Sequence, residues 1–303
     1  MRRVTFLISG FALAATLASL AQQNRPAQPP PGRLVNIGGR SLHIRCVGPA
    51  TGGPTVILEA GAGDHSNRWT AVQDLLAPRV RSCAYDRAGL GWSEPGPTPR
   101  TLQQEVFELH ALLEKAKVPG PFVLVGHSLG GLVARLYADR YSAAVMGVVL
   151  IDALHEDSVQ FNLGLNQWVR IRELSKGRVV PEARLTRATT QATSEDDYLA
   201  EELQQIYLSR RSNPTPLRDR PLIVLHAGKR PPPPGTSEEF WRNLKQEKDD
   251  QGMDLARLSR NSKFVRDPLS GHNIHVDNPM LVATAIEEVV TAGMKGTKLA
   301  ETR

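Results

Sequence analysis

From Pro54 onward, short apolar runs alternate with stretches of helical periodicity, and this alternation restricts the fold more than any other property of the chain. "PTVILEAGAG", "RVRSCAYD", "PFVLVG" and "VMGVVLID" read as strands, while "WTAVQDLLAP", "TLQQEVFELHALLEKAKV" and "LVARLYADRY" carry apolar residues at helical spacing. "RPLIVLHAG" and "KFVRDP" add two strands, and "MLVATAIEEVVTAG" a closing helix. Strands separated by helices imply an α/β fold with a mostly parallel sheet covered on both faces. Ahead of this region, "RLVNIGG" and "SLHIRCVG" flank a Gly-Gly turn and predict a hairpin. With 303 residues, 41% of them apolar, the chain can build one large core. Near this length about 75% of the unfolded surface is buried.

Between Leu154 and about Arg220 the alternation stops. "QWVRIRELSKG" and "EDDYLAEELQQIYLSRR" read as helices with no core strand between them, so residues 155–220 are expected to form a helical insertion. The run "KRPPPPG" is stiff, and the charged segment after it predicts one or two helices in a solvated crossover.

The first 21 residues stand apart. Arg2 and Arg3 precede an uncharged apolar stretch ending in Ser19 and Ala21, the pattern of a secretory signal peptide; an uncleaved N-terminal anchor is the alternative. Residues 22–33 form a Pro-rich leader expected to stay disordered. The formal net charge is +6, but Lys and Arg are scattered and aromatics make up only 5% of residues. A nucleic-acid surface is therefore poorly supported. Cys46 and Cys83 each lie in a predicted strand; in an exported protein such a pair can be a disulfide, or both can be buried thiols.

Within "FVLVGHSLGGLVARLYADRYS", Ser128 stands in a G-x-S-x-G pattern between a predicted strand and a predicted helix. That context fits a nucleophile elbow, a strained turn that exposes the serine hydroxyl above the sheet. A Cβ at position 126 or 130 would meet the neighbouring strand or helix. The helix behind Ser128 also directs its partial positive end at any developing oxyanion.

"LEAGAG", "YDRAGLGWS", "GHSLGG" and "SGHNIHVDNP", in that order, make the chain resemble the α/β-hydrolase fold superfamily from about Arg33 to Gly293. The resemblance implies an eight-stranded, mostly parallel sheet, formed here by residues 34–154 and 221–293. It also implies a helical cap after the sixth strand, where 155–220 falls, and leaves 294–303 as a tail. Cys46 would lie on the second strand and Cys83 on the fourth, neighbours in such a sheet, so the resemblance also implies a Cys46–Cys83 disulfide.

The same resemblance places a catalytic histidine at His272, in a loop before the last helix, with His275 as its rival. His127 lies beside Ser128 and is expected to be structural. The acid departs from the commonest pattern: after "PLIVLHAG" no carboxylate follows until Glu238. Asp152, at the end of the sixth strand, stands where some family members carry the acid; Glu156, Asp157, Asp249 and Asp250 are lesser candidates. Oxyanion donors are expected from the amides of Leu129 and Ala62. Asp86 and Arg87 in "YDRAGLGWS" read as structure, with Arg87 bracing loops. Phe161, Leu163 and Trp168 are candidates to line the pocket or to pack the cap.

Together these residues predict a serine hydrolase acting on a small carboxylic ester, with no metal or organic cofactor required. Amidase, peptidase and perhydrolase variants use the same parts, and a hydrolase-fold ligand sensor is the alternative from another class. Expected partners are a small ester-like substrate and no nucleic acid. No stable membrane insertion is expected once the signal peptide is removed.

Overall fold

The computed structural model describes residues 30–300 apart from 51, 99, 158, 163–166, 171–198, 233–234 and 236. Its strands are β1 (Arg33–Asn36), β2 (Ser41–Val47), β3 (Thr55–Glu59), β4 (Ser82–Tyr85), β5 (Phe122–His127), β6 (Val145–Ile151), β7 (Val159–Asn162), β8 (Gln167–Arg170), β9 (Leu222–Ala227) and β10 (Ser262–Asp267). Its helices are α1 (Thr70–Leu76), α2 (Leu102–Lys115), α3 (Gly130–Arg140), α4 (Leu199–Ser212), α5 (Glu238–Ala256), α6 (Ile274–Asp277) and α7 (Pro279–Lys295).

Eight strands form one sheet in the order β1-β2-β4-β3-β5-β6-β9-β10. β2 runs antiparallel to β1 and β4; the remaining neighbours are parallel. The period-two alternation of strands divides the core into two layers. Phe122 and Leu124, with Val148 and Leu150, face α2 and α3, while Val123 and Val125, with Val149 and Ile151, face α1 and α7. Central strands buried on both faces explain why "FVLV" and "VVLI" are apolar without interruption.

Local signals set the helix ends. The Thr101 hydroxyl accepts from the Gln104 amide at the start of α2, and Ser237 caps α5 by accepting from Phe240. α7 begins with Asn278 as cap and Pro279 in its first turn, and stops at Gly296, whose φ of 64° suits a residue without Cβ. Beyond α7 the buried Leu299 donates its amide to Asn261 Oδ1 at 2.8 Å. At the other end, Arg33, the last residue of the expected leader, is already in strand β1 and pairs with Ile44. Residues 1–29, including the predicted signal peptide, lie outside the described residues. Among the described residues no helix is long and apolar enough to cross a membrane.

One expectation is overturned. Gln167–Arg170 is not helical but strand β8, paired antiparallel with β7 in register Phe161↔Trp168. Gln167–Arg170 carries an aromatic and a β-branched residue side by side, and over four residues helical and strand periodicities cannot be told apart; the ladder partner decides. This hairpin is separate from the main sheet, and α4 bears out helix over the described part of "EDDYLAEELQQIYLSRR".

Cys46 and Cys83 are directly opposed on β2 and β4, with Cα atoms 4.0 Å apart, and form a disulfide. The bond closes a sequence separation of 37 residues. On chain-entropy grounds a loop of that size is stabilised by about 4 kcal/mol. The double variant Cys46→Ser/Cys83→Ser is expected to lose that amount in urea denaturation. Mass spectrometry that finds both thiols free in protein purified without reductant would contradict the pairing.

Candidate active site

Ser128 joins β5 to α3 with φ of 52°, a left-handed conformation that costs a serine about 1–3 kcal/mol. Its backbone is held on both sides. The amide donates to the Ile151 carbonyl at 3.1 Å, and the Ser128 carbonyl accepts from Gly131 at 3.0 Å and Leu154 at 2.9 Å. The flanking glycines permit the approach. A Cβ on Gly126 would lie 2.4 Å from the Gly130 carbonyl oxygen, and one on Gly130 would lie 2.5 Å from that of Ala60. No side chain fits there without moving backbone.

His272 lies on the loop between β10 and α6, and its Nδ1 is 2.6 Å from Asp152 Oδ2. The sequence separation is 120 residues. His127, buried behind the loop, donates Nε2–H to the His272 carbonyl at 3.0 Å and so fixes the loop's position. Burial, followed by the charge of His272, lowers the His127 pKa to about 4, which keeps it a neutral donor. The rival His275 is buried against Trp69 and His127, with ring centroids 4.6 and 4.4 Å away. Burial also pushes its pKa down, to about 2, so its imidazole stays neutral and enclosed.

Asp152 leaves the end of β6 with φ of 39°, its amide donating to the Leu225 carbonyl at 2.7 Å. Oδ2 faces His272, while Oδ1 accepts from the Ala227 amide at 3.1 Å and from Arg230 Nη2. Burial alone would raise this carboxyl's pKa. The His272 hydrogen bond and the Arg230 charge outweigh it and hold the pKa below the ordinary aspartate value. The lesser acid candidates have other partners: Glu156 pairs with Arg135 and Arg210, Asp249 with His226 and Arg266, Asp250 with Gln246, and the Asp157 amide is bonded to His155. Among the described residues, the carboxylate that reaches His272 is Asp152.

The loop after β3 lies beside Ser128: a Cβ on Gly61 would sit 3.4 Å from the Ser128 Cβ. Arg87 clamps this loop, donating to the carbonyls of Ala60 and Gly61, each at 2.7 Å, and to Glu59 Oε1 at 2.6 Å. A trans peptide points its N–H opposite its C=O, so fixing the Gly61 carbonyl also fixes the direction of the Ala62 amide. The Leu129 amide lies at the N-terminus of the 11-residue helix α3, where backbone N–H groups lack intrahelical acceptors. Among the described residues neither amide has a hydrogen-bond acceptor.

Ser128, Asp152 and His272 line one pocket of about 120 Å³ together with His226, Arg230 and Lys248. Sequence reasoning missed these last three. Arg230 lies in the stretch read as a solvated crossover, and no local pattern indicated that it would turn back onto Asp152. Phe161 and Trp168 occupy partnered positions in the β7–β8 hairpin; Leu163 lies outside the described residues. As for metal ligands, donor atoms of His155, Glu156 and Asp254 converge within 4.8 Å, but Arg210 Nη1 already lies 2.6 Å from both carboxylates and balances their charge.

The chain is 29% identical to the protein YqjL of Bacillus subtilis (strain 168) over 239 residues, covering 78% of this chain and 83% of that one. In fold it matches an esterase from Thermogutta terrifontis with a TM-score of 0.55 at 19% identity, covering 86% of this chain and 98% of the other. It also matches the enol-lactonase of Burkholderia xenovorans LB400 with a TM-score of 0.59 at 16% identity, covering 86% of this chain and all of the other. A family model described as the alpha/beta hydrolase family matches residues 56–285, a span that holds the elbow serine, the aspartate and the histidine, and the chain belongs to that family.

Proposed function

We propose that this hydrolase-family chain is a serine hydrolase that cleaves small carboxylic esters through an acyl-enzyme. The observation that carries the reading is the 2.6 Å contact between His272 Nδ1 and Asp152, with Ser128 on its elbow in the same pocket. Asp152 holds the imidazole with Nδ1 protonated, leaving Nε2 free to act as base. Nε2 takes the Ser128 hydroxyl proton as Oγ bonds to the acyl carbon. The oxyanion is received by the Ala62 and Leu129 amides, helped by the positive end of α3. The imidazolium then gives its proton to the departing alcohol. Water, deprotonated by His272, attacks the acyl carbon and releases the acid and free Ser128. The mechanism needs no metal or organic cofactor.

Export after removal of residues 1–21 belongs to the same reading and is supported by the disulfide, which suits an oxidising compartment. The ligand-sensor alternative would be favoured by a broken triad, and the Asp152–His272 contact supports the hydrolase reading over it.

Hydrolysis of p-nitrophenyl esters from acetate to palmitate tests the function. Turnover is expected for short chains, with a fluorophosphonate probe labelling Ser128 and blocking it. Labelling at another residue, or turnover that persists after Ser128 is fully labelled, would overturn the assignment.

A further inference from the structure

The pocket holds a cation that triad chemistry does not use. Lys248 lies on α5, where residues 248, 252 and 255 share one face by helical spacing and line the pocket beside Ser128. The helix is seated tightly, since a Cβ on Gly252 would lie 2.7 Å from His226 Nδ1. Lys248 Nζ donates to Gln251 Oε1 at 3.3 Å. Among the described residues no carboxylate oxygen lies within 4.0 Å of it. Nearby Asp152 is already taken by His272 and Arg230. Glu247 Oε1 accepts from Gln251 instead. Burial and the charge of Arg230 push the Lys248 pKa down, outweighing the opposing charges of Glu247 and Asp152.

The layout of the site says which part of a substrate would meet this charge. His272, which protonates the leaving group, is half exposed at the solvent edge, so the alcohol departs outward. The rest of the pocket, whose lining includes Lys248, Leu255 and Val224, is left for the acyl group. The whole pocket measures only about 120 Å³, which suits a short acyl chain.

Resting on the serine-hydrolase reading, we propose that the preferred acyl group is a short chain ending in a carboxylate, a dicarboxylic half-ester, whose anion pairs with Lys248. A charge-assisted hydrogen bond in a desolvated pocket favours such a substrate over a neutral one of equal length by roughly ten- to a hundredfold.

p-Nitrophenyl hemisuccinate and p-nitrophenyl butyrate share a leaving group and differ in the terminal charge. The kcat/KM ratio is expected to favour the hemisuccinate, to fall at least tenfold in Lys248→Met, mainly through KM, and to recover in Lys248→Arg. A ratio unchanged by Lys248→Met would overturn the proposal. Calorimetric titration of succinate into Ser128→Ala protein gives a reading independent of turnover. Binding that weakens tenfold or more when Lys248→Met is added supports the anion site, and binding that is absent or insensitive to Lys248→Met overturns it. If neither ester turns over and Ser128 resists labelling, the serine-hydrolase reading fails, and the titration still decides the anion site.

Discussion

Hydrolysis of p-nitrophenyl butyrate is expected to collapse in each of Ser128→Ala, His272→Ala and Asp152→Asn while all three variants remain folded. Losing the nucleophile or the base of such a unit costs about a millionfold in kcat, and converting the acid to an amide costs about ten-thousand-fold. The smaller second figure has a geometric cause. An asparagine at position 152 can still pair with the imidazole, but it donates to Nδ1 as readily as it accepts, so the ring settles in the tautomer that cannot take the serine proton. Its position against Arg230 and the Ala227 amide also makes Asp152 a site where an amide fits without a void. On the proposed mechanism the three residues act as one unit, so Ser128→Ala/Asp152→Asn should be no slower than Ser128→Ala alone. Steady-state kinetics of the purified variants, with circular dichroism as the folding control, check this. Activity in Ser128→Ala above a hundredth of the parent would sink the mechanism.

Arg87→Met is expected to damage stability and catalysis together. The guanidinium is almost fully buried between Glu59 and Glu105, at 2.6 and 3.5 Å. Glu59 also accepts from the Tyr85 hydroxyl. Removing one member of a buried ion network leaves the others uncompensated, a loss of about 3–5 kcal/mol. Catalysis suffers because the same guanidinium holds the Ala60 and Gly61 carbonyls. Once the loop is released, the Ala62 amide loses its direction, and one misplaced oxyanion donor lowers kcat about a hundred- to a thousandfold. Arg87→Lys restores charge without the planar fork, so it should recover stability more than kcat. Urea denaturation read beside kcat and KM separates the two effects. A variant that loses stability but retains full kcat would show that the loop holds its shape without Arg87.

What could be read from the sequence follows from how local each feature is. Ser128 is legible because strand, glycine-bounded turn and helix are contiguous, and the glycines meet atoms of the same segment or of the adjoining loop. His272 is legible because its loop follows the last strand and precedes the closing helical region, where the resembling family carries its histidine. Asp152 was reachable only as the carboxylate at a sheet-strand end, since its pairing with His272 spans 120 residues. The disulfide was read through strand order in the resembling family, because nothing local says that β2 and β4 are neighbours. Four-residue β8 was misread as helix for the same reason: its identity depends on a partner strand.

By itself, then, the sequence determined the alternation of strands and helices, the two-sided burial of the central strands, the strained turn at Ser128 and the loop position of His272. Each is dictated by side-chain periodicity or by backbone sterics within a few residues. Tertiary structure alone decided that Arg230 returns to Asp152, that Arg87 clamps the loop carrying Ala62, and that Lys248 faces into the pocket. Those contacts join groups tens of residues apart, and their free energy exists only once the sheet has brought the strand ends together.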